Sequence, residues 1–238
     1  ILISVMAANN EVGAIQPLKA IGQIARRHQI AFHTDAVQAY GHIPVNVNEC
    51  MIDMLSMSAH KLRGPKGIGF LYIRNGLEVP PYIDGGSQEN GRRAGTSNVP
   101  GIVGLGKACE IAARSMPRNM NNMTRLRNRI IYKIKQKLPD AVLTGPEQQR
   151  LPNNISFCFP HVESAKLLAM LDMQGICASA GSACSTGAAG PSHVLIAMGI
   201  SPDLASGSLR LTISSDTTIE EADFVAEAVV KTVKKLRI

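Results

Sequence analysis

The chain has 238 residues, 45% of them hydrophobic and 4% aromatic, and carries a formal net charge of +7. This length supports one large core or two modest ones, and the basic residues are too dispersed and the aromatic residues too few to favour a nucleic-acid surface. The longest apolar runs fall well short of the ~20 residues that a membrane-spanning helix needs. No signal segment opens the sequence, so we expect a cytoplasmic protein that binds neither nucleic acid nor membrane.

The first 116 residues alternate strand and helix patterns. An apolar run over 1–7 predicts a strand, and its start without an initiator methionine suggests that the sequence is part of a longer protein. A helical pattern follows over 16–29, and further strands are predicted over 30–36, 51–59 and 67–74. Strands that alternate with short helices are typical of crossover connections, so we expect an α/β fold with a largely parallel sheet.

The character of the sequence changes near Met116. The later elements are predicted, in chain order, as a long helical region over 100–138 with a polar interruption at 117–123, a strand over 153–159, a helix over 164–174 and a final helix. The final helix is well signalled, because Thr218 and Glu221 have the spacing of a capping box. We therefore divide the chain into domains over 1–116 and 117–238. The interruption is expected to kink or divide the long helix.

Polar side chains follow three of the predicted strands. Asn10 follows the first strand, Asp35 ends the second, and Ser58, His60 and Lys61 follow the third. Ligands of open parallel sheets bind outside the carboxyl ends of the strands. We therefore expect these five side chains to converge at one edge of the sheet.

A lysine at a strand end is usually a solvated loop charge. The neighbouring Asp35 makes a cofactor-binding role for Lys61 more attractive, because pyridoxal phosphate needs both groups. A lysine amine binds its aldehyde, and an aspartate pairs with its pyridinium nitrogen so that the ring can accept electrons. Lys61 and Asp35 suit these two roles.

Five ordered motifs then identify a resemblance that covers nearly the whole chain. They are ANNEVGAIQP, HTDAVQAYG, SAHKLRGPKGIGFLYIR, RRAGTSN and SAGSACSTG. Together they resemble the pyridoxal-phosphate-dependent cysteine desulfurases of the NifS and IscS type, within the class V aminotransferases. The resemblance implies the fold type I architecture: residues 1–116 would be the C-terminal half of the large domain, and 117–238 the small α+β C-terminal domain. The upstream half, with its phosphate loop and ring-stacking histidine, has no counterpart in this sequence.

The resemblance assigns cofactor-binding roles to five residues of the first domain. Lys61 corresponds to the lysine that binds the cofactor covalently, and Asp35 to the partner of the pyridinium nitrogen. Gln38 resembles the side chain that hydrogen-bonds the phenolic oxygen. Ser58 and His60 resemble phosphate ligands, and His60 is also counted with Lys61 as catalytic. Each has an ordinary alternative, such as a loop hydrogen bond, a helix cap or a surface side chain.

Three further residues take roles from the same resemblance. Asn10 resembles the asparagine near the phenolic oxygen and the substrate carboxylate, and Arg210 the arginine that binds that carboxylate through its fork of donors. Thr96 resembles the threonine that reaches the phosphate of the partner subunit, which implies a homodimer. The alternatives are a salt bridge for Arg210 and an ordinary β-former for Thr96.

Cys184 lies in a run of small residues that leaves its thiol accessible. In the family, the corresponding cysteine takes the substrate sulfur as a persulfide and carries it to an acceptor. The other cysteines, Cys50, Cys109, Cys158 and Cys177, are predicted to be buried small apolar side chains. A metal pair of Cys177 and Cys184 with His193 remains an alternative, although no metal site is expected.

The implied reaction removes sulfur from L-cysteine, releases L-alanine and leaves a persulfide on Cys184. The acceptor would be an iron–sulfur cluster scaffold or an enzyme of tRNA thiolation. A selenocysteine lyase is the alternative within the same chemistry. A non-catalytic fragment that acts as an interaction module is the alternative of another class.

Overall fold

A computed structural model describes residues 1–181 and 190–237 of the chain. Its contacts separate two compact units, and helix α2, named below, crosses from one to the other between Met116 and Pro117. The first unit comprises 1–7 and 16–116, and the second comprises 8–15 and 117–238. The roles of these units as a cofactor domain and a small C-terminal domain remain predictions.

The first unit is built on a four-stranded sheet of order β1-β2-β3-β4. Its elements are β1 (Leu2–Ser4), α1 (Leu18–Arg27), β2 (Ala31–Asp35), β3 (Met54–Ser58), β4 (Gly69–Ile73) and the N-terminal part of α2 (Val99–Lys137). Short 3₁₀ turns lie at Ala59–Leu62 and Gln88–Gly91. Phe32, Ile52 and Leu55 are fully buried and form the centre of its packing.

The sheet is mixed rather than uniformly parallel. Strands β1, β2 and β3 pair in parallel, as the alternating pattern predicted, but β4 runs antiparallel to β3, with Ser58 opposite Gly69. The connection over 59–68 explains the difference, since it holds a single 3₁₀ turn and no crossover helix. A parallel connection needs roughly a dozen residues or more, usually with a helix.

Helix α2 continues through the predicted interruption. Pro117 lies inside the helix, which is one element from Val99 to Lys137. A proline inside a helix removes one hydrogen bond and costs about 3 kcal/mol. Buried side chains on both sides of the proline offset this cost, namely Leu105, Ala108, Met123, Leu126, Ile130 and Ile134. The expectation of a divided helix was therefore wrong.

The second unit is built on a three-stranded antiparallel sheet of order β5-β6-β7. Its elements are β5 (Val142–Leu143), β6 (Asn154–Cys158), α3 (Ser164–Asp172), α4 (His193–Ala197), α5 (Pro202–Ala205), β7 (Ser208–Thr212) and α6 (Ile219–Leu236), with the C-terminal part of α2. Every residue of β6 is buried. The predicted capping box of α6 is confirmed, with both the Thr218 and the Glu221 side chains bonded to backbone N–H groups.

Among the helices in the described part of the chain, none is both long enough and apolar enough to cross a bilayer.

A histidine lies close to the turn that carries Lys61. Burial lowers the pKa of His42, and the positive charges of Lys61 and Arg63 lower it further, while a backbone hydrogen bond involving Tyr40 acts in the opposite direction. A histidine whose folded-state pKa is depressed binds protons more weakly in the folded than in the unfolded chain. Its protonation therefore favours unfolding.

Two glycine substitutions should have opposite effects on stability, because only one of the glycines lies where α1 closely approaches the segment before β3. A Cβ at Gly22 would lie 1.9 Å from the carbonyl oxygen of Cys50, whereas a Cβ at Gly106 in α2 would meet nothing within 4 Å. We expect Gly22→Ala to lower the free energy of unfolding by at least ~2 kcal/mol through overpacking. Gly106→Ala should raise it by about 0.5–1 kcal/mol through helix propensity. Urea denaturation measures both, and equal effects would contradict this packing.

The depressed pKa of His42 predicts a pH-dependent stability. The contribution is fully present above the ordinary histidine pKa of 6.5 and is lost as the pH falls from there toward the folded-state value. The urea midpoint should therefore fall less between pH 8 and pH 5.5 in His42→Gln than in the wild type. His28→Gln, at an exposed histidine, is the control and should retain the wild-type slope. A wild-type slope in His42→Gln would refute the assignment.

Candidate functional site

The carboxyl ends of β2 and β3 lie side by side in the first unit. Strand β2 ends at Asp35 and β3 ends at Ser58, and the parallel register sets Asp35 opposite Ser56. The Asp35 side chain is exposed, and its Oδ1 accepts a hydrogen bond from the N–H of Val37 at 2.9 Å. Within the described residues, no donor bonds its Oδ2. One carboxylate oxygen is thus fixed by the backbone, and the other is open to a ligand.

The turn that carries Lys61 is fixed by backbone hydrogen bonds. The N–H of Ala59 donates to the carbonyl oxygen of Ile68, and the N–H of Gly64 donates to that of Ala59, both at 3.0 Å. Arg63 adopts the left-handed conformation, with φ 61° and ψ 19°, which ends the 3₁₀ turn. The buried Ala59 holds the turn against the unit.

This turn presents the side chains of the predicted ligands at the end of β3. His60 and Lys61 are exposed, and the Ser58 hydroxyl makes no capping hydrogen bond to the turn. No carboxylate of residues 1–181 or 190–237 forms an ion pair with Lys61. The amine of Lys61, the hydroxyl of Ser58 and the imidazole of His60 are therefore available to a ligand.

Hydrogen bonds between polar side chains connect the first three strands of the same sheet. The Ser4 hydroxyl and Nδ1 of His33 lie 2.7 Å apart, and Nε2 of His33 lies 2.7 Å from the Ser56 hydroxyl. The sequence patterns assigned no role to His33. The sequence does point to His33, because it lies two residues before Asp35 and residues two apart in a strand share a face of the sheet.

The other predicted residues of the first unit lie outside regular strands. Gln38 is half-buried in the turns that follow β2, and Thr96 is exposed in the segment that precedes α2. Tyr40 packs edge-on against Phe70, with ring centroids 5.5 Å apart. This contact fixes the chain just beyond Gln38.

Asn10 and Arg210 belong to the second unit. Nη1 of Arg210, on β7, donates to the carbonyl oxygen of Asn10 at 3.0 Å. The turn that contains Asn10 is held by Oδ1 of Asn9, which accepts from the N–H groups of Glu11 and Val12 at 2.8 and 2.9 Å. The structure thus brings Asp35, Ser58, His60 and Lys61 together in one unit, and Asn10 and Arg210 in the other.

The cysteines differ in exposure. Cys158 is buried, and burial raises the pKa of its thiol to about 11, which suits a structural side chain. Burial also raises the pKa of Cys109 and of Cys50, which are half-buried. The prediction of burial is therefore confirmed for Cys158, is met only in part by Cys50 and Cys109, and is wrong for Cys177, which is exposed in the loop after α3.

Cys184 and its immediate neighbours, residues 182–189, lie outside the described residues. The alternative of a metal pair with Cys177 and His193 therefore remains a prediction. In the described part of the chain, no group of three or more His, Cys, Asp or Glu side chains is arranged to hold a metal ion.

The donor set of the first unit fits pyridoxal phosphate. The cofactor offers an aldehyde, a basic ring nitrogen and a phosphate, which need an amine, a carboxylate, and neutral or cationic hydrogen-bond donors respectively. Lys61, Asp35, and Ser58 with His60 supply these groups at the ends of adjacent strands.

Comparisons with known proteins show which family the chain belongs to. The model of the class-V aminotransferase family matches residues 1–225. The chain is 49% identical to the cysteine desulfurase IscS of Dictyoglomus turgidum over 237 residues, which are 100% of this chain and 60% of that protein. A NifS-like protein from Rickettsia africae is 30% identical, with a TM-score of 0.90 over 98% of this chain and 62% of that one.

A third similar structure is that of SspA in complex with cysteine. It is 33% identical to this chain, with a TM-score of 0.74, and the match covers 92% of this chain and 60% of that one. The chain spans about 60% of the length of the relatives that it matches. Since the family model accounts for nearly the whole sequence, the chain belongs to the class-V aminotransferase family.

Proposed function

We propose that this chain carries the lysine, the pyridine-binding aspartate and the sulfur-accepting cysteine of a pyridoxal-phosphate-dependent cysteine desulfurase. The single observation that carries the proposal is the parallel alignment of β2 and β3, which sets Asp35 and the Lys61 turn at adjacent strand ends. Similar chains named cysteine desulfurase, and the SspA complex with cysteine, support the choice of substrate.

The proposed roles in the first unit follow from the chemistry of each side chain. Lys61 binds the cofactor through Nζ and later accepts the proton from the substrate Cα. Asp35 accepts a hydrogen bond from the protonated ring nitrogen, and Gln38 donates to the phenolic oxygen. Ser58 and His60 bind the phosphate, and His60 is also proposed as a catalytic group. When bound, the cofactor supplies an electron sink for the bonds broken at Cα and Cβ.

The second unit supplies the proposed substrate contacts. Arg210 binds the substrate carboxylate, and the hydrogen bond from its Nη1 to Asn10 orients the guanidinium before substrate arrives. Asn10 contributes its side-chain amide near the substrate and the cofactor oxygen. Thr96 is proposed to reach the phosphate bound by the partner subunit, in a cytoplasmic homodimer.

Cys184 completes the proposed reaction. Its thiolate attacks the substrate sulfur, an S–S bond forms, and the C–S bond breaks with its electron pair returning to the substrate carbon. That carbon takes up a proton, and L-alanine leaves. The persulfide on Cys184 then passes its outer sulfur to an acceptor protein, an iron–sulfur scaffold or an enzyme of tRNA thiolation.

The proposal predicts three signals, which do not all depend on the same residues. The chain incubated with pyridoxal phosphate should show the lysine-bound absorbance band near ~400 nm, and with L-cysteine it should release alanine and carry a persulfide. Lys61→Ala should lose all three. Cys184→Ala should retain the band and lose the persulfide. Lys66→Ala is the control, because Lys66 is an exposed lysine just beyond the same turn and should retain every signal.

Two results would count against the proposal. If the wild-type chain is folded but shows no band, these residues do not hold the cofactor in this chain. That result would favour the interaction-module alternative. A band with turnover of selenocysteine but not of cysteine would favour the lyase. Absorbance, amino-acid analysis and mass spectrometry of the Cys184 peptide distinguish these cases.

A further inference from the structure

Two consecutive carbonyl groups of residues 8–15 accept hydrogen bonds from side chains of the second unit's sheet. The carbonyl oxygen of Asn10 accepts from Nη1 of Arg210 at 3.0 Å. The next carbonyl oxygen, that of Glu11, accepts from Nδ2 of Asn154 at 2.9 Å. Each residue has only two soft backbone dihedrals, so a shift of one carbonyl displaces its neighbour. The two hydrogen bonds therefore depend on each other.

Both donors lie on the same face of that sheet. In the antiparallel register of β6 with β7, Ser156 lies opposite Arg210, and Asn154 lies two residues before Ser156 in the same strand. Directly opposite residues share a face of a sheet, and so do residues two apart in one strand. Asn154 and Arg210 thus reach one short segment of chain from one surface.

Arg150 fixes the side-chain amide of Asn154 in the orientation that this contact requires. Nη1 of Arg150 donates to Oδ1 of Asn154 at 2.9 Å. A guanidinium can only donate and a carbonyl can only accept, so the amide oxygen must face Arg150 and the amide nitrogen must face Glu11. Arg150 is itself buried, and it donates to the carbonyl oxygens of Pro146, at 2.8 Å, and Thr144. Only one orientation of the amide satisfies both of its neighbours.

We propose that Asn154 is a positioning residue for the substrate carboxylate, and that it acts on Arg210 through the backbone of residues 10 and 11. Asn154 is buried, so it does not meet the substrate itself. It holds the carbonyl of Glu11, which keeps the adjacent carbonyl of Asn10 within reach of Nη1 of Arg210. The inference rests on the proposed binding of the substrate carboxylate by Arg210. That contact is made in the ground state and in the transition state alike, so its weakening should raise KM and leave kcat unchanged.

The first test uses Asn154→Asp in the whole chain, which replaces the amide nitrogen by an oxygen. The bond from Arg150 can be retained, but the donor to Glu11 is lost. We expect the KM for L-cysteine and the inhibition constant of L-alanine to rise several-fold, up to about tenfold. The inhibition constant of L-alaninamide should stay unchanged, because this compound has no carboxylate. Asn154→Leu has the same effect without adding a charge, and it replaces Asn154→Asp if that variant folds poorly.

Asn153→Asp is the matched control for loss of stability. Asn153 is also buried and immediately precedes β6, where successive side chains alternate between the two faces. A buried unpaired carboxylate should lower the urea midpoint of this variant. Its KM for L-cysteine should nevertheless match that of the wild type. An equal rise of KM in Asn153→Asp would overturn the positioning role.

A double variant shows whether Asn154 acts through Arg210. Arg210→Ala should raise KM and the inhibition constant of L-alanine. Adding Asn154→Asp to Arg210→Ala should raise neither of them further, because the side chain on which Asn154 acts is gone. Independent effects that multiply would contradict the proposal.

Hydrogen exchange of the cofactor-free chain gives a readout that does not depend on turnover. The N–H groups of Glu11 and Val12 donate to Oδ1 of Asn9 within the turn. Both amides should exchange several-fold faster in Asn154→Asp than in the wild type. The N–H of Ala222 in α6 is the internal reference and should keep its rate.

The two proposals fail in different ways. Wild-type exchange rates at Glu11 and Val12 in both Asn154→Asp and Asn154→Leu would overturn the positioning role. A wild-type chain that binds no cofactor and releases no alanine would overturn the desulfurase proposal. In that case the exchange rates would still decide whether Asn154 holds residues 10 and 11.

Discussion

The parallel pairing of β2 with β3 sets the positions of four proposed cofactor ligands of the first unit, Asp35, Ser58, His60 and Lys61. It sets Asp35 opposite Ser56, two residues before the end of β3, so that the carboxylate and the Lys61 turn share one edge. A one-residue slip would turn each side chain to the opposite face. The hydrogen bonds of His33 to Ser4 and Ser56 span all three parallel strands and favour the observed register.

The second unit depends on a different constraint, the packing of residues 8–15 against β6 and its neighbours. Gly13 has a φ of +72°, and a Cβ there would lie 2.6 Å from Oδ1 of Asn154. The same Asn154 oxygen accepts from Nη1 of Arg150 at 2.9 Å. Because the turn is held this closely, it can orient Arg210 through Asn10 and present Glu11 to Ser192. One short segment thereby contacts both Arg210, the proposed substrate-binding residue, and Ser192.

Several of these features could be predicted from local patterns in the sequence. A capping box is read from two residues three apart, and the places of Asp35 and Lys61 follow from strand ends. The antiparallel β4 was also readable, since 59–68 is too short for a crossover. The continuity of α2 through Pro117 could not be predicted from the sequence, because buried contacts along the helix override the local tendency of proline to end a helix.

The hydrogen bond between Ser192 and Glu11 could not be predicted from the sequence. Ser192 lies 181 residues away from Glu11, and the sequence itself gives no sign that Glu11 is buried. The exposure of Cys177 likewise depends on how the loop after α3 lies on the unit. Both features arise from packing between distant segments rather than from composition or spacing.

The central claim, that Asp35 and Lys61 act on one bound cofactor, is tested most directly by the ¹⁵N chemical shift of the pyridine nitrogen. Ring-labelled pyridoxal phosphate would be bound to the wild-type chain and to Asp35→Asn. We expect a protonated nitrogen in the wild type and an unprotonated nitrogen in the variant, with the cofactor still bound through Lys61. The same shift in both proteins would contradict it.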